Sequence, residues 1–256
     1  MKIIVLMKQV ANKDAILRIN KDATWIEEGD LSYEVNESDG YALEESLRLK
    51  EKHGGEVVIC SMGPPRVKSV IKDGLARGAD RAIHVLLDNL TNLSPFATAS
   101  MLADAIREEQ ADMILTGLQS DDNGYAQAGV IMAELLGLPH ATIVIEVDAA
   151  GEQLRVKREL ESGWYQWYAM PLPALLTIQS GISQIRYATL KGIMAAKKKE
   201  IKEITPAGEG ARPSHQRIEK IYFPEKTKQT QFLGNGDAKA GAVALAEKLR
   251  TEARVI

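Results

Sequence analysis

The apolar residues in the first half of the chain alternate between two patterns. Short continuous runs open residues 2–10 (KIIVLMKQV) and fill 57–61, 82–87 and 113–116. Runs of that length, rich in β-branched side chains, are what a parallel strand covered on both faces requires. Between them the spacing turns helical. Residues 40–53 set Tyr41, Leu43, Leu47 and Leu49 among Glu44, Glu45, Arg48, Lys50 and Glu51, and stop at Gly54-Gly55. Ser38 or Asp39 can cap that helix. Further helices are predicted over 65–77, ended by Gly78; over 94–109, with Ser94 as cap and Pro95 at the first helical position; and over 125–136, closed by Gly137 and Pro139. This alternation predicts an α/β fold, a doubly wound, mainly parallel sheet with right-handed crossovers.

From residue 141 the pattern changes. ATIVIEV (141–147), QLRVKREL (153–160), WYQWYAM (164–170) and ALLTI (174–178) read as strands separated by short turns such as Ala149-Ala150-Gly151 and Ser162-Gly163. We expect them to form an antiparallel extension of the sheet edge. Past Gly181 the apolar density falls, with a Lys197-Lys198-Lys199 run and a polar stretch over 206–236, before helical spacing returns over 237–250 through Ala240, Val243, Leu245 and Leu249. That composition suits an extended C-terminal arm that needs another surface to cover it. The expected division is an α/β domain over 1–183 and a partner-facing segment with the arm over 184–256.

A chain of 256 residues, 45% hydrophobic and 26% charged, can bury a sizeable core. Its formal net charge of −3 leaves no domain-wide surplus of cations for nucleic-acid phosphates. The single cysteine, Cys60, sits in the run Val57-Val58-Ile59-Cys60 and reads as a small buried hydrophobe rather than a nucleophile. No apolar stretch approaches the roughly 18 residues that span a bilayer, and residues 2–10 enter a strand without a leader-like segment, so the expected location is cytoplasmic.

An open parallel sheet takes ligands at the carboxyl ends of its strands, where strand order reverses. Three segments are expected there: the end of the first strand at 6–8, the loop 35–39, and the glycine-bearing loop 117–124. The last follows a strand and opens a helix, so the backbone N–H groups of Tyr125, Ala126 and Gln127 are available to a phosphate. Gln119, Ser120, Asn123 and Gln127 supply neutral hydrogen-bonding groups. Asp121 and Asp122 would repel a phosphate, so at least one must turn away or meet a ribose hydroxyl. The open alternative is that Gly117 and Gly124 only turn the chain while the aspartates cap a helix, since the loop is neither a P-loop nor a GxGxxG fingerprint. His53, His84, His140 and His215 are scattered without ligand spacing, and no GxSxG, CxxC or HExxH motif occurs. A binding or carrier role therefore outranks hydrolysis, with no catalytic residue and no metal expected.

Seven segments spread along the chain resemble the electron transfer flavoprotein beta subunit: KIIVLMKQV, ALEESLRLKEKHGG, VVICSMGPP, GLARGADRAIHV, GLQSDDNGYAQAG, VKRELESGWYQWYAMPLPALLT and IRYATLKGIMAAKKKEI. The last two are the most specific, because a generic α/β domain has no reason to carry them. The resemblance implies an adenine nucleotide alpha hydrolase-like fold and an electron carrier rather than an enzyme. It implies pairing with an alpha subunit that holds most of the FAD, an AMP of structural role in this chain, and service between acyl-CoA or related flavin dehydrogenases and a quinone oxidoreductase. The positions matching the family's nucleotide site are Leu6, Asn36, Glu37, Ser38, Asp39, Met62, and the run Gly117, Leu118, Gln119, Ser120, Asp121, Asp122, Asn123, Gly124, Tyr125, Ala126, Gln127 and Ala128. Tyr187, Ala188, Thr189, Leu190, Lys191, Gly192, Ile193 and Met194 resemble the segment by which the family docks on dehydrogenases, with Leu190 as anchor.

The chain also departs from the family pattern. AMP-holding members carry three consecutive aspartates in the loop and bifurcating members an Asp-Gly-Asp, whereas Ser120-Asp121-Asp122-Asn123-Gly124 fits neither. A second FAD in place of AMP, with NADH as the electron source, is therefore the alternative, and a stand-alone ATP binder of the universal-stress type is a third. Glu37 stands where proline is common, and Trp164-Tyr165-Gln166-Trp167-Tyr168 is unusually aromatic and suited to an interface.

Overall fold

The computed structural model describes residues 1–90, 93–150, 153–206, 216–225, 228 and 230–256. By internal contacts it separates into two units, Met1–Ile221 and Tyr222–Ile256. In the first, β1 (Lys2–Leu6) is followed by β2 (Gln9–Ala11), β3 (Tyr33–Val35), α1 (Glu37–His53), β4 (Glu56–Gly63), α2 (Lys68–Arg77), β5 (Arg81–Leu86), α3 (Pro95–Ile106), β6 (Met113–Gly117) and α4 (Ala128–Leu136). The strands β7 (His140–Ala150), β8 (Gln153–Glu159), β9 (Tyr165–Pro171) and β10 (Ala174–Ile178) come next, then α5 (Leu190–Ala196) and β11 (Ile201–Ile204).

Nine strands form one sheet in the order β11-β5-β4-β1-β6-β10-β7-β8-β9. The pairs from β11 to β7 are parallel, and β7-β8-β9 is antiparallel. Alternate residues of the parallel strands face opposite layers, as a period of two requires. Ile3, Val5, Val57 and Ile59 pack with Leu43, Leu47, Ile71 and Leu75 of α1 and α2, whereas Ile4, Leu6, Val58 and Cys60 pack with Ala99, Leu102, Met132 and Ala133 of α3 and α4. The expected doubly wound, mainly parallel α/β sheet with an antiparallel edge is what the chain forms. Its winding reverses between β1 and β6: the chain moves from β1 outward through β4 to β5, then crosses back to β6.

Several expectations are corrected. Ala174–Ile178 is not part of the antiparallel extension; it inserts between β6 and β7, parallel to both, and all five residues are buried. The opening run 2–10 does not stay in one strand, because Gln9–Ala11 turns away to pair with Tyr33–Val35. Helix α4 starts at Ala128 rather than at residue 125. Ser94 does cap α3, its hydroxyl accepting from the N–H of Ala97. Neither Ser38 nor Asp39 caps α1, which starts at Glu37 after Asn36; both lie inside its first turn and bond elsewhere. The first unit includes β11, which pairs with β5, and α5, which packs on α2.

The second unit contains α6 (Ala238–Lys248), capped by Asp237, whose carboxylate accepts from the N–H groups of Lys239 and Ala240. Phe232, Val243 and Leu245 are exposed. Residues 207–215 of the polar stretch, with His215, and Gly151 of the turn lie outside the described residues.

Ile59 is fully buried where β4 meets α2, close against Gly74. Ile59→Ala should cost about 2–5 kcal/mol through lost transfer energy and a cavity that the sheet cannot close. The check is the midpoint of urea unfolding at unchanged m-value.

Candidate functional site

The reversal of winding sends the chain after β1 and after β6 to opposite faces of the sheet, and a cavity of about 200 Å³ opens at their carboxyl ends. The first turn of α1 holds it together. Asp39 is buried, and its carboxylate accepts from the backbone N–H of Lys8 at 2.7 Å and of Gly117 at 2.9 Å, so one side chain fastens both strand ends. Asn36, also buried, donates from Nδ2 to the Gln119 carbonyl at 2.9 Å and accepts at Oδ1 from the Asp121 N–H at 2.9 Å. The Ser38 hydroxyl donates to the same Gln119 carbonyl at 2.7 Å. Gly117 is obligatory here for lack of room: a Cβ would collide with Ser38 Oγ and Asp39 Oδ1.

The two carboxylates of the loop are both engaged. Asp121 Oδ2 accepts from the Glu37 N–H at 3.1 Å, and Asp122 Oδ1 accepts from Lys8 Nζ at 2.6 Å and from the Asn123 N–H at 2.7 Å. Burial pushes Asp122 upward, yet Lys8 beside it holds its carboxyl below the usual carboxylate range. Beyond the loop, α4 begins at Ala128. Its first-turn N–H groups at 128–130 lack intrahelical acceptors and carry the positive end of the helix dipole. The amide donors predicted at 125–127 are therefore displaced by three residues.

The cavity walls divide by chemistry. Leu6, Met62 and Leu102 supply apolar surface, while Lys8, Asn36, Ser120, Asn123, Gln127 and the start of α4 supply polar groups. Leu6, Asn36, Asp39, Met62, Gly117, Leu118, Gln119, Ser120, Asn123, Tyr125, Ala126, Gln127 and Ala128 all line it. Glu37, Ser38, Asp121, Asp122 and Gly124 do not; the first four buttress the loop from behind, and Gly124 turns it with φ at 62°.

Residues outside the predicted set also line the cavity, among them Gln9 and Arg66, whereas Lys8 belongs to the expected segment 6–8. Arg66 pairs with Glu28 at 3.1 Å and stacks over Tyr33 at 4.5 Å. Arg66 lies just beyond β4, so its position at a strand carboxyl end was the available signal. Cys60 lines the floor as a buried thiol that burial pushes up to about 12. His84 is buried on β5, its Nε2 2.9 Å from the Gly63 carbonyl. Among the described residues, no three His, Cys, Asp or Glu side chains group as a metal site, and no helix is long and apolar enough to cross a membrane.

The second candidate region, 187–194, is exposed rather than folded away. Thr189 caps α5 by accepting from the Gly192 N–H, and Tyr187, Leu190, Ile193 and Met194 face solvent, Leu190 with 78% of its surface open. Just before and on β9, Trp164, Tyr165, Trp167 and Tyr168 are further exposed aromatic residues, with Arg155 over Trp167 and Lys157 over Tyr165.

A family model described as the electron transfer flavoprotein domain matches residues 24–208. Among curated proteins, the electron transfer flavoprotein subunit beta of Methylophilus methylotrophus is 35% identical over 95% of this chain and 96% of its own. That of Thermoanaerobacterium thermosaccharolyticum is 39% identical over 80% and 78%, and the human protein is 34% identical over 82% and 83%.

Two outcomes follow for the site. Gly117→Ala should destabilise the fold by about 1–3 kcal/mol, because the clash is with the two groups that close the α1 turn; denaturant titration measures it. The second concerns pH. Burial pushes Asp39 up to about 7 against the lowering pull of the Lys8 N–H, Asn36 and the Gly117 N–H. The folded value lies above the ordinary 3.8, so this group's contribution is full below about pH 4 and is lost as pH rises through about 7. The melting-temperature advantage of the wild type over Asp39→Asn should therefore shrink across that interval, and a pH-independent difference contradicts the assignment.

Proposed function

The chain belongs to the electron transfer flavoprotein beta-subunit family, and on that premise we propose that it is the small subunit of a heterodimeric electron carrier, paired with an alpha subunit that holds most of the FAD. In this reading the cavity between β1 and β6 holds AMP, residues 187–194 dock on an acyl-CoA or related flavin dehydrogenase, and electrons leave toward a quinone oxidoreductase. The FAD supplies the redox chemistry; this chain moves no proton and forms no covalent bond.

The observation that carries the nucleotide reading is the charge arrangement of the 117–128 loop. A phosphate at the start of α4 meets amide donors, while Asp121 and Asp122, its natural opponents, are already bonded to Glu37 and Lys8. Apolar Leu6, Met62 and Leu102 suit an adenine ring, and Ser120, Asn123 and Gln127 suit phosphate or ribose oxygens. A ligand so placed touches β1, β6 and α4 at once. It binds only the folded chain and stabilises it by mass action, by about 2.7 kcal/mol at a hundredfold excess over its Kd.

Denaturing extraction of the copurified heterodimer, with mass identification of released nucleotides and a flavin count, tests the proposal. The expected result is AMP and a single flavin per heterodimer. Two flavins without AMP, bleached by NADH, favour a bifurcating subunit; turnover of ATP by the chain alone, with no affinity for an alpha subunit, overturns the carrier reading altogether.

A further inference from the structure

Helix α5 carries exposed apolar side chains on only seven residues, too few to be helical on their own strength. Three separate attachments hold it. Ahead of it, Arg186 reaches across to α1: its Nε donates to Glu44 Oε2 at 2.8 Å, its Nη2 to Glu44 Oε1 and Glu51 Oε2 at 3.1 Å each, and its backbone N–H also to Glu44 at 3.1 Å. Glu44 is 4% exposed and shared with Arg48, which in turn donates to the Gln184 carbonyl. In the middle, Gly192 lies so close to α2 that a Cβ would collide with the Ala76 carbonyl. Behind it, Lys199 is partly buried and donates from Nζ to the carbonyls of Leu75 and Ala79 at the end of α2. The last lysine of the run 197–199 is thus a helix-end ligand, well placed against the negative end of the α2 dipole.

We propose that Arg186 is a positioning residue for partner docking: bridging Glu44 and Glu51, it fixes α5 in one orientation so that Leu190 and its neighbours are presented without an ordering cost at binding. The inference rests on the docking reading of 187–194. Arg186 itself points at α1, so its influence on a partner passes through the placement of α5. A loop that must be ordered on association weakens binding by the entropy it loses, and a mount that orders it beforehand removes that loss. A bidentate guanidinium suits the task because two carboxylates about two turns apart on one face of α1 offer it paired acceptors. A single ammonium can hold only one of them firmly.

The test uses the heterodimer with its alpha subunit and an acyl-CoA dehydrogenase as reductant. Arg186→Gln should raise the KM for the dehydrogenase about tenfold while flavin content and the rate at saturating dehydrogenase stay the same, and Arg186→Lys should fall between. Amide hydrogen exchange over 190–196 should accelerate in Arg186→Gln, with exchange in β1, β4 and β6 unchanged. Leu190→Ala serves as the reference. If Leu190→Ala raises KM and Arg186→Gln does not, the positioning role is wrong and the docking reading stands. Unchanged exchange over 190–196 overturns the mount directly. A Leu190→Ala variant with normal KM removes the docking reading and the inference with it.

Discussion

Two neighbouring strands whose following segments leave to opposite faces of the sheet must be held in place if the space beyond their ends is to have a shape. In this chain Asp39 does that, accepting from the N–H of Lys8 after β1 and from Gly117 at the end of β6. Both donors are main-chain groups beyond the last β1–β6 pair, and an unpaired buried N–H is costly. One carboxylate satisfies both, at the expense of its own desolvation. Asn36 and Ser38 extend the arrangement to the following loop through the Gln119 carbonyl. Where α1 begins, how the 117–124 loop runs and how wide the cavity opens are all consequences of this cluster.

Helix α1 thereby serves two regions. Its first turn closes the cavity, and further along it Glu44 and Glu51 receive Arg186, the residue ahead of the exposed 187–194 segment. Glu44 and Glu51, seven residues or about two turns apart, share a face, and one rigid rod sets the positions of the cavity loop and of α5 relative to one another. The acidic residues that give α1 its amphipathic appearance are therefore not simply solvated: Glu44 is buried, with Arg186 and Arg48 holding it below its ordinary range although burial alone would raise it.

Legibility from sequence followed the range of the interactions. Strands covered on both faces announced themselves by apolar runs, and Ser94-Pro95 marked the start of α3, because those signals are local. Convergence of 6–8, 35–39 and 117–124 was legible because position at a strand's carboxyl end follows from topology. Asp39 was read as a cap from its distance to the helix start; its actual partners are Lys8 and Gly117, 31 and 78 positions away, and no spacing rule reaches them. The same holds for Arg186 and Glu44, separated by 142 positions. β2, β3 and β11 are three or four residues long and only partly buried, too short for periodicity to register. Segment 174–178, apolar but for Thr177, had the character of an internal strand, but its neighbours in sequence suggested an edge; pairing decided otherwise.

The position of β10 has a consequence for synthesis on the ribosome. It lies between β6 and β7, although β7, β8 and β9 all precede it along the chain. Until residue 178 has emerged, β6 and β7 each present an open hydrogen-bonding edge flanked by apolar side chains, the kind of surface that invites wrong pairing. β10 arrives after the strands on both sides of it, so the middle of the sheet is completed late, with only the edge strand β11 still to follow, and contacts of long sequence separation dominate that step. The emerging chain therefore stays unfinished, and exposed to mispairing, until most of its length has been made.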